Sequence, residues 1–176
     1  MLDQSNVSCV LFPAALEARI RPLIAAAQRR SVAALVRGDI KLAARLEADG
    51  VHLPADLESY EYARDLLGLS AVIGIDSGTL RDDAMTLAEA GAEYIAFARE
   101  DRRALLDKVE WWSEVFTVPC AVFGVATAED ALAFASAGAD FVAPAPSLLA
   151  GGEMADTLRK FAGSLASAPA HDGGSA

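Results

Sequence analysis

The sequence predicts an α/β fold: a TIM-type (β/α) barrel that is missing one βα unit. Three observations predict it. Short apolar runs rich in Val, Ile and Phe alternate with longer amphipathic runs, the pattern of a parallel sheet covered by helices. One phrase recurs three times, as Leu46-Glu-Ala-Asp-Gly-Val-His52, Leu87-Ala-Glu-Ala-Gly-Ala-Glu-Tyr-Ile95 and Phe134-Ala-Ser-Ala-Gly-Ala-Asp-Phe-Val142. Its acids, Asp49, Glu93 and Asp140, stand 44 and 47 residues apart, so each interval holds two βα units. A regular repeat suits a barrel better than a doubly wound sheet, whose strand order reverses. Finally, seven strand–helix units can be counted where a full barrel has eight.

The elements follow in order. Strands are predicted at Ser8–Phe12, Val32–Val36, Gly50–Leu53, Ala71–Ile75, Tyr94–Ala98, Cys120–Phe123 and Phe141–Ala143. Several are apolar on both faces, as buried parallel strands are. Helices are predicted at Ala14–Arg29, Ile40–Glu47, Leu57–Leu67, Leu80–Ala90, Arg102–Phe116, Ala128–Ala137 and Glu153–Leu165. In the fourth, Ala84, Leu87, Ala88 and Gly91 recur at three- and four-residue steps. Ser77 or Thr79 is suited to cap that helix, and Thr127 to cap the sixth, with Asp130 three residues on. The repeated acids precede strands, at the end opposite the chemistry of a barrel, and read as structural. The barrel spans residues 1–163, and 164–176, rich in Ala, Ser, Gly and Pro, reads as a disordered tail.

Composition narrows the function classes. A chain of 176 residues points to one domain, and 53% hydrophobic with 23% charged residues is globular composition. The net charge of −10 argues against nucleic acid, which requires a basic face, and against a polybasic membrane anchor. No run of about 18 apolar residues is present, and the first residues show no signal-peptide pattern, so a cytoplasmic protein with no membrane partner is expected. Cys9 and Cys120 sit in apolar runs outside any metal-ligand spacing and read as buried strand residues. A missing unit would expose strand edges, and a homodimer is the expected cover. Adjacent Trp111 and Trp112 cannot share one helix face, so one is expected at a surface, where Trp favours interfaces.

Chemistry in a (β/α) barrel sits on the loops that follow the strands. In order these are Pro13-Ala-Ala15, Arg37-Gly-Asp39, His52-Leu-Pro-Ala-Asp56, Asp76-Ser-Gly-Thr79, Arg99-Glu-Asp-Arg-Arg103, Gly124-Val-Ala-Thr127 and Pro144-Ala-Pro-Ser147 with Gly151-Gly152. His52 is a general base or a structural hydrogen-bonder. Asp39 and Asp56 are a magnesium pair or solvated acids. Asp76 and Ser77 cap a helix or touch a ligand. Arg99, Arg102 and Arg103 bind an anion or are neutralised by Glu100 and Asp101. Gly124 and Gly151-Gly152 offer N–H groups to an anion or simply make turns.

The phrases Ala48-Asp-Gly-Val-His-Leu53, Val72-Ile-Gly-Ile75, Ala90-Gly-Ala-Glu-Tyr-Ile95 and Ala137-Gly-Ala-Asp-Phe-Val142, with Pro119 ahead of its strand, resemble the thiamine phosphate synthase/TenI family over about residues 8–160. The resemblance implies a transferase of thiamine biosynthesis that joins a pyrimidine diphosphate to a thiazole phosphate, releasing pyrophosphate with Mg2+. Read from the strand-end loops of this chain, the expected ligand contacts are Arg37, His52, Asp76, Ser77, Arg99, Arg102, Gly124 and Ser147, with magnesium at Asp39 and Asp56 and a phosphorylated small molecule as partner. Against the family pattern, its first cationic segment falls on Leu11–Ala15. One magnesium carboxylate falls on Gly38. Its Gly-Gln-acid-Asp falls on Pro54–Leu57, and the last phosphate loop on Pro144–Ser147. Proline has no N–H to give a phosphate. Three functions are therefore open: the family transferase or a tautomerase-like relative, a degenerate barrel that binds a ligand or partner without turnover, and a barrel enzyme with an altered small-molecule substrate.

Overall fold

The computed structural model describes residues 7–78, 80–150 and 154–168. The chain divides into two compact units, one ending at Glu93 and one beginning at Tyr94.

The N-terminal unit runs β1 (Cys9–Pro13), a 3-10 turn (Ala14–Leu16), α1 (Glu17–Gln28), β2 (Ala33–Arg37), α2 (Ile40–Leu46), β3 (Gly50–Pro54), α3 (Leu57–Leu67), β4 (Val72–Asp76) and α4 (Arg81–Glu89). Its four strands are parallel and neighbour one another in chain order, with Leu11 opposite Leu35, Val36 opposite Val51 and Val51 opposite Ile73. Val36, Val51, Ile73 and Ile75 are fully buried. Strands apolar on both faces end up inside because helices cover a parallel sheet.

The C-terminal unit runs β5 (Tyr94–Phe97), α5 (Arg102–Val115), β6 (Cys120–Val125), α6 (Ala128–Ser136), β7 (Phe141–Pro144), α7 (Pro146–Leu149) and α8 (Met154–Leu165). These strands too are parallel and sequential, Ile95 facing Cys120 and Val122 facing Val142. Sequential order in both units is the barrel-type arrangement the repeat predicts. Trp112 is buried, stacks on Phe116 at 4.1 Å between ring centroids and donates Nε1–H to the Val118 carbonyl. Trp111 is half-buried and meets both rings edge-on.

The three repeated acids have one shared job. Asp49 Oδ2 accepts the Ala34 N–H at 2.7 Å, while the Asp49 N–H donates to the Ala34 carbonyl at 2.9 Å. Glu93 Oε2 and the Glu93 N–H do the same to Ile73, and Asp140 Oδ2 and its N–H do the same to Cys120. Each acid clasps both backbone groups of one residue near the start of the preceding strand. This answers the N–H that a strand end would otherwise bury without a partner. Glu93 also pairs with Arg64 at 2.6 Å, and Arg64 further donates to the carbonyls of Gly68 and Ala71. The glycine after the first clasp has its own reason: a Cβ on Gly50 would lie 1.8 Å from the Val72 carbonyl oxygen.

Predicted and observed elements agree closely, with four differences. The single turn α7 has no counterpart in the prediction; four residues are too few to show a helical period. Helix α4 begins after Leu80, which caps nothing through its side chain, so Ser77 is not its cap; Thr79 lies outside the described residues. Cys9 lies at the exposed start of β1 rather than buried, whereas Cys120 is buried as expected. Ser164 and Leu165 complete α8 although the tail was expected to begin at Ser164, and residues 169–176 of that expected tail lie outside the described residues.

Candidate functional site

The strand C-terminal ends of the N-terminal unit present four expected residues and two expected metal ligands. Arg37 closes β2, is exposed, and stands in register with His52 of β3, which in turn faces Gly74 of β4. His52 is 1% exposed, which fits a strand-interior histidine better than a solvent-facing base. The Gly38 N–H donates to the His52 carbonyl at 2.9 Å, tying the β2 end to β3.

Asp39 and Asp56 both work as helix caps. Asp39 Oδ1 accepts the Leu42 N–H at 2.8 Å at the start of α2, and Asp56 Oδ2 accepts the Ser59 N–H at 2.9 Å at the start of α3. Hydrogen bonds from the side chain and backbone of Ser59 hold the Asp56 carboxyl below its ordinary range. The capping pattern was visible in the sequence, since each aspartate directly precedes a helical period. Among the described residues, no three His, Cys, Asp or Glu side chains gather as a metal site. A magnesium ion held by these two carboxylates would also need oxygens from a substrate. Asp76 ends β4, and its Oδ1 accepts the Gly78 N–H at 3.3 Å, a turn rather than a helix cap; Ser77 is buried.

The C-terminal unit carries the arginines. Arg99 follows β5 with a φ of +63°, a left-handed conformation uncommon for a side chain of its size. Both acids of this loop have partners of their own. Glu100 turns inward to Lys108, and Asp101 Oδ1 caps α5 by accepting the N–H groups of Arg103 and Ala104. Arg102 instead meets Asp130 at 2.5 Å, and Asp130 also accepts from the Thr127 hydroxyl at 2.8 Å. Arg102 and Thr127 together hold the Asp130 carboxyl below its ordinary range. Thr127 caps α6 as predicted, accepting the Asp130 N–H. Arg103 is exposed at the start of α5, where the helix field favours anions over cations.

Gly124 stands at an irregularity in the β6–β7 register, with φ +81° and open space where a Cβ would be. Ser147 is exposed within α7, whose first residue is Pro146. Pro144 and Pro146 leave that turn two N–H groups short. Gly151 and Gly152 lie outside the described residues. Burial pushes the Cys120 thiol up to about 12, so it is no nucleophile near neutral pH. The Glu100–Lys108 pair was not foreseen from the sequence. Eight positions apart with one partner outside the helix, it follows no local spacing rule.

Sequential parallel strands followed by helices, with polar loops at the strand C-termini, define a (β/α) barrel protein of the TIM type. The solved thiamine phosphate pyrophosphorylase from Pyrococcus furiosus superposes with a TM-score of 0.79 at 15% identity, covering 90% of this chain and 83% of that one. The 3-hexulose-6-phosphate synthase of Salmonella typhimurium follows at 0.68 and 17%, covering 91% and 87%. The family model described as thiamine monophosphate synthase matches residues 11–147. The thiamine-phosphate synthase of Erythrobacter litoralis is 40% identical over 157 residues, covering 84% of this chain and 73% of that protein. That of Rhodospirillum centenum is 36% identical over 159 residues, covering 81% and 75%. The chain belongs to the thiamine monophosphate synthase family. Among the described residues, no helix is long and apolar enough to cross a membrane.

Proposed function

We propose that this member of the family binds a phosphorylated small molecule at its strand C-terminal loops but does not carry out the magnesium-assisted, pyrophosphate-releasing condensation. The observation that carries this reading is the engagement of Asp39 and Asp56 as helix caps. A pyrophosphate leaving group needs a hard cation held by carboxylates and donors aimed at the developing charge. Here the resemblance aligns one metal carboxylate with Gly38, and prolines 144 and 146 stand where it implies phosphate-binding N–H groups. What favours anion binding instead is Arg103, exposed at the start of α5 with its neighbour Asp101 engaged as the helix cap.

A second reading is favoured by the 40% identity to the Erythrobacter litoralis protein: that the chain performs the condensation its relatives' names describe. Turnover of the pyrimidine diphosphate and thiazole phosphate with Mg2+, beside a known synthase, separates the two. We expect no thiamine phosphate above background from folded protein. Clear turnover establishes the second reading and gives Asp39 and Asp56 the metal role. We further propose a cytoplasmic homodimer; sedimentation at micromolar concentration is expected to show twice the 18.4 kDa chain mass.

A further inference from the structure

A cleft of about 690 Å³ lies within the N-terminal unit, where α1, α2 and α3 finish and β2, β3 and β4 begin. It is at the strand ends opposite the loops that carry the proposed function, and that function does not use it. Its volume is in the range of small-molecule sites. Val32 on its lining is buried, whereas Leu66 is 44% exposed. Gln28, Ser31, Glu47 and Asp49 also line it, and no lysine, arginine or histidine does among the described residues.

Two of these residues hold an uncommon backbone conformation, Ser31 with φ +56° and Glu47 with φ +53°. Each stands just past a helix, where a left-handed residue closes the last turn and glycine is the usual choice. The Ser31 N–H donates to the Gln28 carbonyl at 2.9 Å, and the Glu47 N–H to the Ala44 carbonyl at 3.2 Å. After α3, α4 and α6 the positive φ falls on Gly68, Gly91 and Gly138, none of which lines the cleft. Side chains are thus kept at the two such positions that do line it. Glu47 is unfavourable there on a second count, since its carboxylate sits at the negative end of the α2 dipole. A residue held against its own preference marks a place where the side chain is used.

The charge of the cleft selects its ligand. Three helix C-termini and two carboxylates border it, a field that favours a cation. Gln28 Nε2 is spent on the Glu47 carbonyl at 2.9 Å and on Asp49 Oδ1 at 3.3 Å, which leaves the amide oxygen as an acceptor. Asp49 Oδ2 is spent on the Ala34 N–H. We propose that this cleft binds a small organic ammonium ion, a protonated primary amine on a short alkyl body. Glu47, the Ser31 hydroxyl and the Gln28 amide oxygen accept its N–H groups, and its body lies against Leu66 and Val32.

The test titrates n-butylammonium chloride into the isotope-labelled full chain at constant ionic strength. Tetramethylammonium, which has the charge but no N–H, and n-butanol, which has the body but no charge, are the controls. Saturable amide shifts are expected at residues 28–33, 43–49 and 66–72 with n-butylammonium and with neither control. Glu47→Gln is expected to bind roughly tenfold more weakly, the loss of one charge-assisted hydrogen bond. Glu47→Gly should also lose binding while raising Tm by about 2 °C, because glycine relieves the positive φ. No saturable shift at these residues in the wild-type chain, an equal response to either control, or wild-type affinity in either variant overturns the proposal. So does a lower Tm for Glu47→Gly, which would make Glu47 a residue kept for the fold.

Discussion

The two ends of the strands are built on opposite plans. At the N-terminal ends one device is used three times: an acid clasps the N–H and carbonyl of a residue in the strand before it, at Ala34, Ile73 and Cys120. At the C-terminal ends no such clasp is seen among the described residues, and the charged residues serve several ends. Asp39 and Asp56 cap helices, Asp76 makes a turn, Glu100 goes inward to a lysine, and Arg102 crosses to Asp130. The contrast teaches that the same residue types serve fold and site, and only repetition tells them apart. An acid that returns at every second βα unit serves the repeat itself. An acid that appears once does something local to its own loop.

The contrast breaks most sharply at Gly50. Its missing Cβ makes room for the Val72 carbonyl, and a backbone oxygen cannot rotate away. Gly50→Ala is expected to cost about 3 kcal/mol, at the top of the usual overpacking range, read as a fall in the urea midpoint. A midpoint like that of the wild-type chain would mean the strand starts tolerate change as well as the loops do. Glu93→Ala comes next. It leaves the Ile73 N–H unanswered and strips Arg64 of its carboxylate, and about 2 kcal/mol is expected for a lost charge-assisted pairing. Glu93→Gln, which keeps an acceptor, should recover part of that.

These strand starts were legible in the sequence because they combine two independent signals. The apolar runs mark the strands, and the recurring small-small-acid phrase marks where each one begins. The C-terminal loops lacked such redundancy. Asp39 and Asp56 read equally as metal ligands and as caps, because a carboxylate before a helix is suited to both. The neutralisation expected within Arg99–Arg103 follows sequence proximity. The structure satisfies Glu100 and Arg102 at distances of 8 and 28 positions, at Lys108 and Asp130. Side-chain pairings made across a fold carry no local period, so pattern reading cannot see them.

Asp39 gives a smaller effect that sharpens the same contrast. Asp39→Ala removes the cap of α2 and should cost about 1 kcal/mol, while Asp39→Asn, itself a good cap, should cost little. Thermal melts with and without Mg2+ check this: under the cap reading magnesium shifts neither variant relative to the wild-type chain. A magnesium-dependent gain in Tm that Asp39→Asn abolishes would make this loop a metal site after all.

The smallest expected effect is at Asp130, and it reads out through pH. Arg102 and, after it, Thr127 depress the Asp130 carboxyl in the folded chain. A group with a depressed folded pKa stabilises fully above its unfolded value, near 4, and loses that contribution as pH falls through the folded value. The Arg102–Asp130 pair is largely solvent-facing, so at neutral pH the contribution is less than about 1 kcal/mol. Asp130→Asn should therefore leave the neutral Tm nearly unchanged and flatten its fall below about pH 4, with added salt shrinking the difference. An unchanged acid limb would mean Asp130 does not hold Arg102 in solution. Arg102 would then stand beside Arg103 as a second exposed cation at the start of α5.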